Sequence, residues 1–442
     1  MKRPERVLHV VHNFPPEFRG GVERVVETAV VAQRRAGVDA RVLCGSEETR
    51  DVACARAEEF AGIPVVRLFR GPGLKDPVDP FRAELAAHYE AALAAFAPEV
   101  VHVHHWANLG DDMARRAARR GARVVVTLHD FFPTCPLYFR LPGGTDPCDL
   151  PQASENCGPC ISRTFGFGEV DEASFRVETR RLAFAEELRA AIFVTAASPA
   201  HARAIAPFLP EPTEIVDLPL GSEPIEPVAP RTRTGPLRVL HFGNLCRLKG
   251  VEVLARAVEA ADPTGERIRL TMLGHKLEAD LYTGRAELVP GYEWSTLRDY
   301  AADSDVAAFP SLARETYSMT VDEALRLGLP TLVGDRGAAQ DRVGARGVVL
   351  PSGDVAAWAA ELRRLADDPA AAPALRAGAH APLASNLDYG DRALELYARA
   401  LERPPSVVDL EPLMLRRLVR LEQTFGDLLM RLYATQRGES GT

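Results

Sequence analysis

The sequence predicts an α/β fold built from two successive parallel-sheet units, and three observations carry that expectation. Short β-branched runs alternate with Ala-rich stretches of helical periodicity, the pattern of strand–helix–strand units. The alternation breaks at residues 218–236, where Pro219, Pro224, Pro227, Pro230 and Pro236 accompany a polar Arg-Thr-Arg-Thr run. Beyond the break the same rhythm restarts. In the first unit, residues 7–11 read as a buried strand that runs into the loop 12–21. Residues 22–36 have helical spacing and stop at Gly37, and 40–44 form the next strand. Further strands fall at 63–68, 100–104, 124–129 and 192–196, with helices near 82–97, 112–120 and 169–190. The second unit opens with a strand at 237–242, a helix at 251–261 and a strand at 268–273. A helix at 297–302, a strand at 306–309, a helix at 320–327 and a strand at 331–333 continue it.

The expected organisation is a Rossmann-like domain over 1–220, a linker over 221–236 and a second Rossmann-like domain over 237–380. A return helix follows at 381–402 and an amphipathic helical tail at 403–442. Two such domains leave a cleft faced by strand C-termini, where ligands of open parallel sheets bind. A length of 442 residues, 46% hydrophobic and 26% charged, suits a globular chain of two or three domains. The net charge of −8 argues against a general nucleic-acid binder, which needs a basic face. No run of eighteen apolar residues is present, and the apolar stretch 7–11 is too short for a signal-peptide core. A cytoplasmic chain is expected. Lysine occurs only at Lys2, Lys75, Lys249 and Lys276, which draws attention to each.

Three motifs could carry chemistry. The first is Glu315-Thr-Tyr-Ser-Met-Thr-Val-Asp-Glu323-Ala324, two carboxylates around the start of a helix after a strand ending at Pro310-Ser311. Backbone amides near Ser318 and Met319 can bind phosphate oxygens at that helix N-terminus. Glu323 can accept from two ribose hydroxyls, and Glu315 can reach a sugar. The second is Gly243-Asn-Leu-Cys-Arg247-Leu-Lys249-Gly250, a loop whose glycine admits close backbone approach and whose two cations suit a diphosphate. It is neither a Gly-x-Gly-x-x-Gly fingerprint nor a Walker loop, which disfavours dehydrogenase and P-loop readings. The third is Gly20-Gly21-Val22-Glu23-Arg24, a tight turn with amides facing the cleft.

In this order and at these distances the motifs, with Thr127-Leu128-His129-Asp130 and Leu327-Gly328-Leu329-Pro330, resemble the retaining GT-B glycosyltransferases of family 4, also described as glycosyl transferases group 1. The resemblance spans roughly residues 5–400 and implies the GT-B fold, two Rossmann-like domains facing each other across a cleft. It implies transfer of a sugar from a nucleotide-sugar donor, with retention, to an acceptor hydroxyl of a glycan, glycolipid or small molecule. Carried over by motif, the donor would meet Gly21, Gly243, Arg247, Lys249, Ser318, Met319 and Glu323, with His129, Glu315, Arg247 and Lys249 at the reaction. Side chains and helix dipoles would neutralise the diphosphate, so catalysis would need no metal. Asp303-Ser304-Asp305 has the letters of a metal motif but sits where turn residues are expected. One departure stands out: the family commonly has Arg directly after the loop glycine, and here that residue is Asn244. It motivates an alternative, a catalytically degenerate GT-B chain that binds a partner through its tail. A sugar-nucleotide epimerase is a further alternative, which the Glu315 and Glu323 setting disfavours.

Cys135, Cys148, Cys157 and Cys160 fall within 26 residues, in a Pro- and Gly-rich loop at 131–165 with a Cys-x2-Cys pair. A four-thiolate structural zinc is one reading, with an iron–sulfur cluster or free thiols as the others. Such a loop would shape acceptor binding. His102, His104 and His105 read as strand-end residues near the cleft rather than a metal cluster, and Cys44, Cys54 and Cys246 as buried or incidental thiols. In the tail, Leu410, Met414, Leu418, Leu421, Phe425, Leu428 and Leu432 form a heptad-like stripe flanked by arginines. It could pack on its own chain, pair two copies in a homodimer, or lie at the inner face of the cell membrane, where lipid-linked acceptors would be found.

Overall fold

The computed structural model describes residues 2–72, 76, 78–144, 146–209, 213–409, 413, 415 and 417–419. The first half runs β1 (Arg6–Val11), α1 (Gly21–Arg35), β2 (Asp39–Cys44), β3 (Cys54–Phe60), β4 (Ile63–Phe69), α2 (Ala83–Phe96), β5 (Val100–Val103) and α3 (Met113–Arg119). It continues with β6 (Arg123–Leu128), α4 (Ser154–Phe165), α5 (Val170–Ala190), β7 (Phe193–Ala196), α6 (Pro199–Ile205) and β8 (Ile215–Asp217). The second half runs β9 (Leu237–Phe242), α7 (Val251–Ala261), β10 (Ile268–Leu273), β11 (Glu287–Val289), α8 (Trp294–Ala302), β12 (Val306–Phe309) and α9 (Met319–Arg326). It closes with β13 (Thr331–Gly334), α10 (Gln340–Val343), β14 (Gly347–Leu350), α11 (Val355–Asp367), α12 (Ala371–Arg376) and α13 (Tyr389–Leu401).

Two sheets result, ordered β3-β4-β2-β1-β5-β6-β7-β8 and β11-β10-β9-β12-β13-β14. Every ladder is parallel except β3 with β4. Parallel strands are buried on both faces, which is why β5, β7, β12 and β13 are buried throughout. Each sheet accordingly has an apolar cluster on either side, with α1 and α13 on one face of the first and α2, α3 and α5 on the other. In each sheet the strand order reverses beside its first strand, β1 or β9. That reversal opens a crevice at the strand C-termini, and it places the loops after β1, β5, β6, β9 and β12 together.

The sequence pattern does not anticipate β3. Its Arg56, Glu58 and Glu59 read as loop, yet charged side chains are what an edge strand carries to block further pairing. It joins β4 through Ala61 and Gly62, both at positive φ (48° and 79°), the turn geometry that matches strand twist. The loop 131–165 departs from expectation as well. Cys157 and Cys160 lie on α4, which packs against α5, rather than in irregular chain. The contact is tight at Gly158, where a Cβ would come within 2.0 Å of Ser174 Oγ. The return helix α13 crosses back onto α1, and Gly390 permits the approach because a Cβ there would meet Ala32 Cβ at 2.5 Å. Asp303 and Asp305, in a segment where turn residues were expected, form ion pairs with Arg238 and Arg231.

No helix among the described residues is long and apolar enough to cross a membrane. Of the tail stripe only Leu418 falls within the described residues, and it is exposed. Nearby, Arg417 is drawn onto the first domain, 2.9 Å from Asp79 and 2.6 Å from Asp111, and Leu413 is buried.

Candidate active site

The cleft holds a cavity of about 360 Å³ walled by both domains. From the first domain come Arg19, Gly20, Gly21, Arg24, His129, Asp130 and Phe139. The second supplies Gly243, Asn244, Lys249, Tyr292, Ser311, Glu315, Ser318, Met319, Thr320 and Glu323.

Glycines set the walls. Gly21 opens α1 and faces the start of α9, where a Cβ would stand 2.8 Å from Met319 Cε. Gly243, at φ 124°, sits 3.3 Å by the same measure from Thr320 Cγ2. Gly250 follows Lys249 in left-handed conformation (φ 70°), and a Cβ there would lie 1.9 Å from Pro310 O. Only glycine lets that loop lie against the end of β12.

The charges are paired. Lys249 Nζ is 2.7 Å from Glu315 Oε1, and Ser311 Oγ donates to the same oxygen at 2.7 Å. Burial opposes the Glu315 charge, but Lys249 and these hydrogen bonds hold its carboxyl below the ordinary carboxylate range. Burial likewise opposes the Lys249 charge, and Glu315 overcomes it and holds the ammonium above its ordinary value. Glu315 itself is fixed by Gly337: Ala338 N donates to Glu315 O at 2.7 Å, and a Cβ on Gly337 would meet Glu315 N at 2.4 Å. Nothing in the sequence pattern singles out Gly337, because its partner lies 22 residues earlier.

Glu323 is 1% exposed, and burial pushes its carboxyl up to about 7, against the pull of Arg24. Arg24 Nη1 reaches Glu323 Oε1 at 3.5 Å from the opposite domain. Among the described residues, Oε2 of Glu323 has no hydrogen-bond partner, and it is buried. An orphaned carboxylate oxygen at a cavity wall is costly unless something fills it. Ser318, which precedes α9, is held at φ 64° and ψ 68°, and its side chain does not cap the helix. Ser318, Met319 and Thr320, at the positive end of the helix dipole, line the cavity. Asp322 locks this end through Tyr317 (2.8 Å) and Arg342 (2.5 Å).

On the opposite wall His129 is 6% exposed, and desolvation pushes its imidazole down to about 3. Asp130 accepts from Phe132 N at 2.8 Å and pairs with His105 at 3.2 Å. Burial works against its charge, but His105 keeps the carboxyl below its ordinary range.

The structure thus gathers Gly21, His129, Gly243, Lys249, Glu315, Ser318, Met319 and Glu323 around one cavity. Arg247 is not among them. It pairs with Glu252 at 3.1 Å and Asp280 at 2.8 Å, in a separate groove with Gly143, Gly144 and Arg256. Arg24, Tyr292 and Phe139 also line the cavity, and none of the three was among the expected site residues, although Arg24 stands in the Gly20–Arg24 motif. The signal for Arg24 was its place one turn into α1 behind Gly20-Gly21, on the helix end that faces the cleft. The loop 131–165 reaches across as well, with Asp146 on Arg336 at 3.2 Å and Asp149 on Arg314.

The four loop thiols are neighbours without converging. Burial raises the Cys157 thiol, with Cys148 and Cys160 adding to the effect, and Cys135 is pushed up to about 11 by burial. Among the described residues, the group whose ligand atoms come close enough for one ion is His9, His102 and His104.

A catalytic cleft between two parallel α/β domains, with a helix N-terminus, a cation and two carboxylates on one wall, defines a GT-B glycosyltransferase that uses a nucleotide-sugar donor. The chain belongs to the glycosyltransferases of family 4 and group 1: residues 19–148 match the family model Glycosyltransferase Family 4, and residues 236–368 match Glycosyl transferases group 1. It is 28% identical over 330 residues to D-inositol 3-phosphate glycosyltransferase 1 of Catenulispora acidiphila, covering 69% of this chain and 73% of that protein. It is 30% identical over 172 residues to a glycogen synthase of Mycobacterium tuberculosis, covering 36% of this chain and 41% of that enzyme. In fold it is similar to sucrose-phosphate synthase from Thermosynechococcus elongatus (TM-score 0.59, 17% identity, 97% of this chain and 100% of that one). It is also similar to Anabaena HepE in complex with UDP and glucose (TM-score 0.58, 16% identity, 89% and 100%).

Proposed function

We propose that this chain moves a sugar from a nucleoside diphosphate donor to an acceptor hydroxyl with retention of anomeric configuration and without a catalytic metal. The observation that carries the reading is the buried Oε2 of Glu323, without a hydrogen-bond partner among the described residues, beside the start of α9, which Ser318 does not cap with its side chain. Glu323 accepts from the ribose hydroxyls, and the amides of Ser318 and Met319 take phosphate oxygens. Lys249 sits within reach of the diphosphate and stabilises the charge that develops as the leaving group departs. Glu315 holds Lys249 in place and contacts the sugar. Arg247 joins the clamp on releasing Glu252 and Asp280. The bond from the anomeric carbon to the diphosphate oxygen breaks, and the acceptor oxygen bonds that carbon on the same face. The acceptor proton passes to the departing phosphate oxygen. Gly21 and His129 close the first-domain side, from which a glycan, a lipid-linked intermediate or a small polyol hydroxyl enters. Closure between Gly21 and Met319 excludes water and limits hydrolysis.

Zinc on Cys135, Cys148, Cys157 and Cys160 belongs to the same reading as a staple of the loop 131–165. The donor set fits, since four thiolates satisfy structural zinc, and the four sulfurs would draw together around it. A cytoplasmic location with peripheral membrane contact, or a homodimer, through the tail also belongs to it. Asn244 at the cavity wall favours a second reading, a degenerate donor site that serves partner binding. Thermal unfolding with UDP, GDP, ADP, dTDP and CDP separates the two. Stabilisation by one nucleotide, lost in Glu323→Ala, followed by transfer from the matching sugar nucleotide, supports the enzyme. No stabilisation by any of the five refutes the donor site. The anomeric configuration of the product, read by NMR, tests retention.

A further inference from the structure

Behind His129 the first sheet buries a line of polar rings that the transfer step does not use. His9 on β1, His104 after β5 and His129 after β6 stand on three neighbouring strands. Gln33 Oε1, on α1, lies 2.9 Å from His9 Nε2. His9 Nδ1 lies 3.0 Å from His104 Nε2, and His104 Nδ1 lies 3.0 Å from His129 Nε2. The result is an unbroken row of three hydrogen bonds that ends at the cavity. His102 belongs to a separate row, with Nδ1 on Tyr397 OH at 2.6 Å and Nε2 on Thr127 Oγ1 at 2.7 Å. All six ring nitrogens of His9, His102 and His104 are thereby taken up. Hydrogen bonding accounts for this cluster without an ion.

Such a row has a direction. A neutral imidazole offers one N–H and one lone pair. Gln33 Oε1 can only accept, so His9 carries its proton on Nε2 and accepts at Nδ1. His104 must then donate from Nε2 and accept at Nδ1, and His129 must donate from Nε2. What remains is the lone pair on His129 Nδ1, at the end of the row where His129 lines the cavity. Desolvation keeps the rings uncharged at neutral pH: His9 falls to about 4, His129 to about 3, and His104 well below its ordinary value.

We propose that Gln33, His9 and His104 are positioning residues that set the tautomer of His129, so that its Nδ1 accepts a hydrogen bond from a hydroxyl of the donor sugar. This rests on the reading of the cavity as a donor site. Both ring nitrogens of His9 and of His104 are paired within the row, and one broken link leaves two buried groups unpaired. The amide of Gln33 thus acts on the sugar through two intervening rings.

The test uses the full chain labelled with ¹⁵N-histidine, with long-range ¹H–¹⁵N spectra reporting which nitrogen of His129 is protonated. The expected wild-type result is a proton on Nε2, and the Nδ1–H form dominating in wild type overturns the proposal outright. In Gln33→Leu the Nδ1–H share rises. In the same variant the KM for the sugar nucleotide increases about tenfold, the loss expected of one hydrogen bond. Affinity for the free nucleoside diphosphate, which carries no sugar, stays unchanged. Should Gln33→Leu unfold, His104→Asn replaces it, and the wild-type spectrum still decides. Nucleoside diphosphate binding with an unaltered tautomer and unaltered KM refutes this inference alone, while no nucleotide binding in wild type refutes the donor site instead.

Discussion

Replacing Glu323 with Gln should make the empty protein more stable and the donor complex weaker. The carboxyl moves from an ordinary 4.5 to about 7 because burial disfavours its charge. That difference corresponds to about 3 kcal/mol which the ionised carboxylate costs the folded chain. The sign follows from the direction of the shift. Below pH 4.5 the group is protonated both folded and unfolded, so the cost is absent. The cost grows as pH rises to about 7 and is constant above it. A neutral amide removes it, so at pH 8 the variant should unfold several degrees above wild type, at about 2–4 °C per kcal/mol. The two should converge near pH 5. Glu23, also raised to about 7 by burial, contributes the same slope to both proteins and cancels in the comparison.

Binding reverses the ranking. Ribose hydroxyls that donate to Glu323 favour its ionised form, so nucleotide binding to wild type at pH 7 should release up to about half a proton. The variant should release less and bind on the order of 10–100-fold more weakly. Calorimetry in buffers of different ionisation enthalpy measures the proton, and differential scanning across pH 5–8 measures the stability. A variant that is less stable at pH 8 than wild type, yet binds nucleotide equally well, would falsify both the buried-charge account and the ribose role.

Three further outcomes follow from the same geometry. Lys249→Ala should lower kcat about 10²–10³-fold with nucleotide binding only partly weakened, because the ammonium acts most as charge develops; equal kcat in steady-state assays contradicts that role. Gly250→Ala forces a Cβ to 1.9 Å from Pro310 O at φ 70°, so the variant should lose several degrees of unfolding temperature by calorimetry; an unchanged midpoint means that the loop is not pinned there. Purified protein should carry one zinc per chain by elemental analysis, lost in Cys157→Ser, and a metal-free chain with full activity removes the staple from the reading.

What the sequence made legible is what topology guarantees. Gly21, His129, Gly243, Lys249, Glu315 and Glu323 are placed by strand ends and by one helix start, and parallel α/β topology delivers all of those to the same crevice. Arg247 shows where that logic stops. It precedes Lys249 by two residues in a 3₁₀ turn, and its direction is decided by Glu252 and Asp280, local charges that no motif encodes. Gly337 was invisible for a related reason, since its requirement is a backbone contact with Glu315 rather than a turn of its own. The tail stripe, apart from Leu418, lies outside the described residues, and Arg417 is tied to the first domain by Asp79 and Asp111.

The buried histidines mark the deeper limit of the sequence. Alternation along β5 places His102 and His104 on the face opposite Val101 and Val103, as expected, but adjacency in the sequence suggests that they act together. The strand register divides them instead. His9 is paired in register with His102, yet its ring bonds to His104, and His104 passes on to His129. Each link crosses between strands far apart in sequence and close in the sheet. A carboxylate in place of Gln33 would draw a proton into the row and charge it, and an apolar side chain would leave His9 unpaired. An uncharged acceptor is therefore the group that keeps three buried rings both neutral and oriented. That requirement comes from the sheet order and the burial together, and neither can be read from the residues around His129 alone.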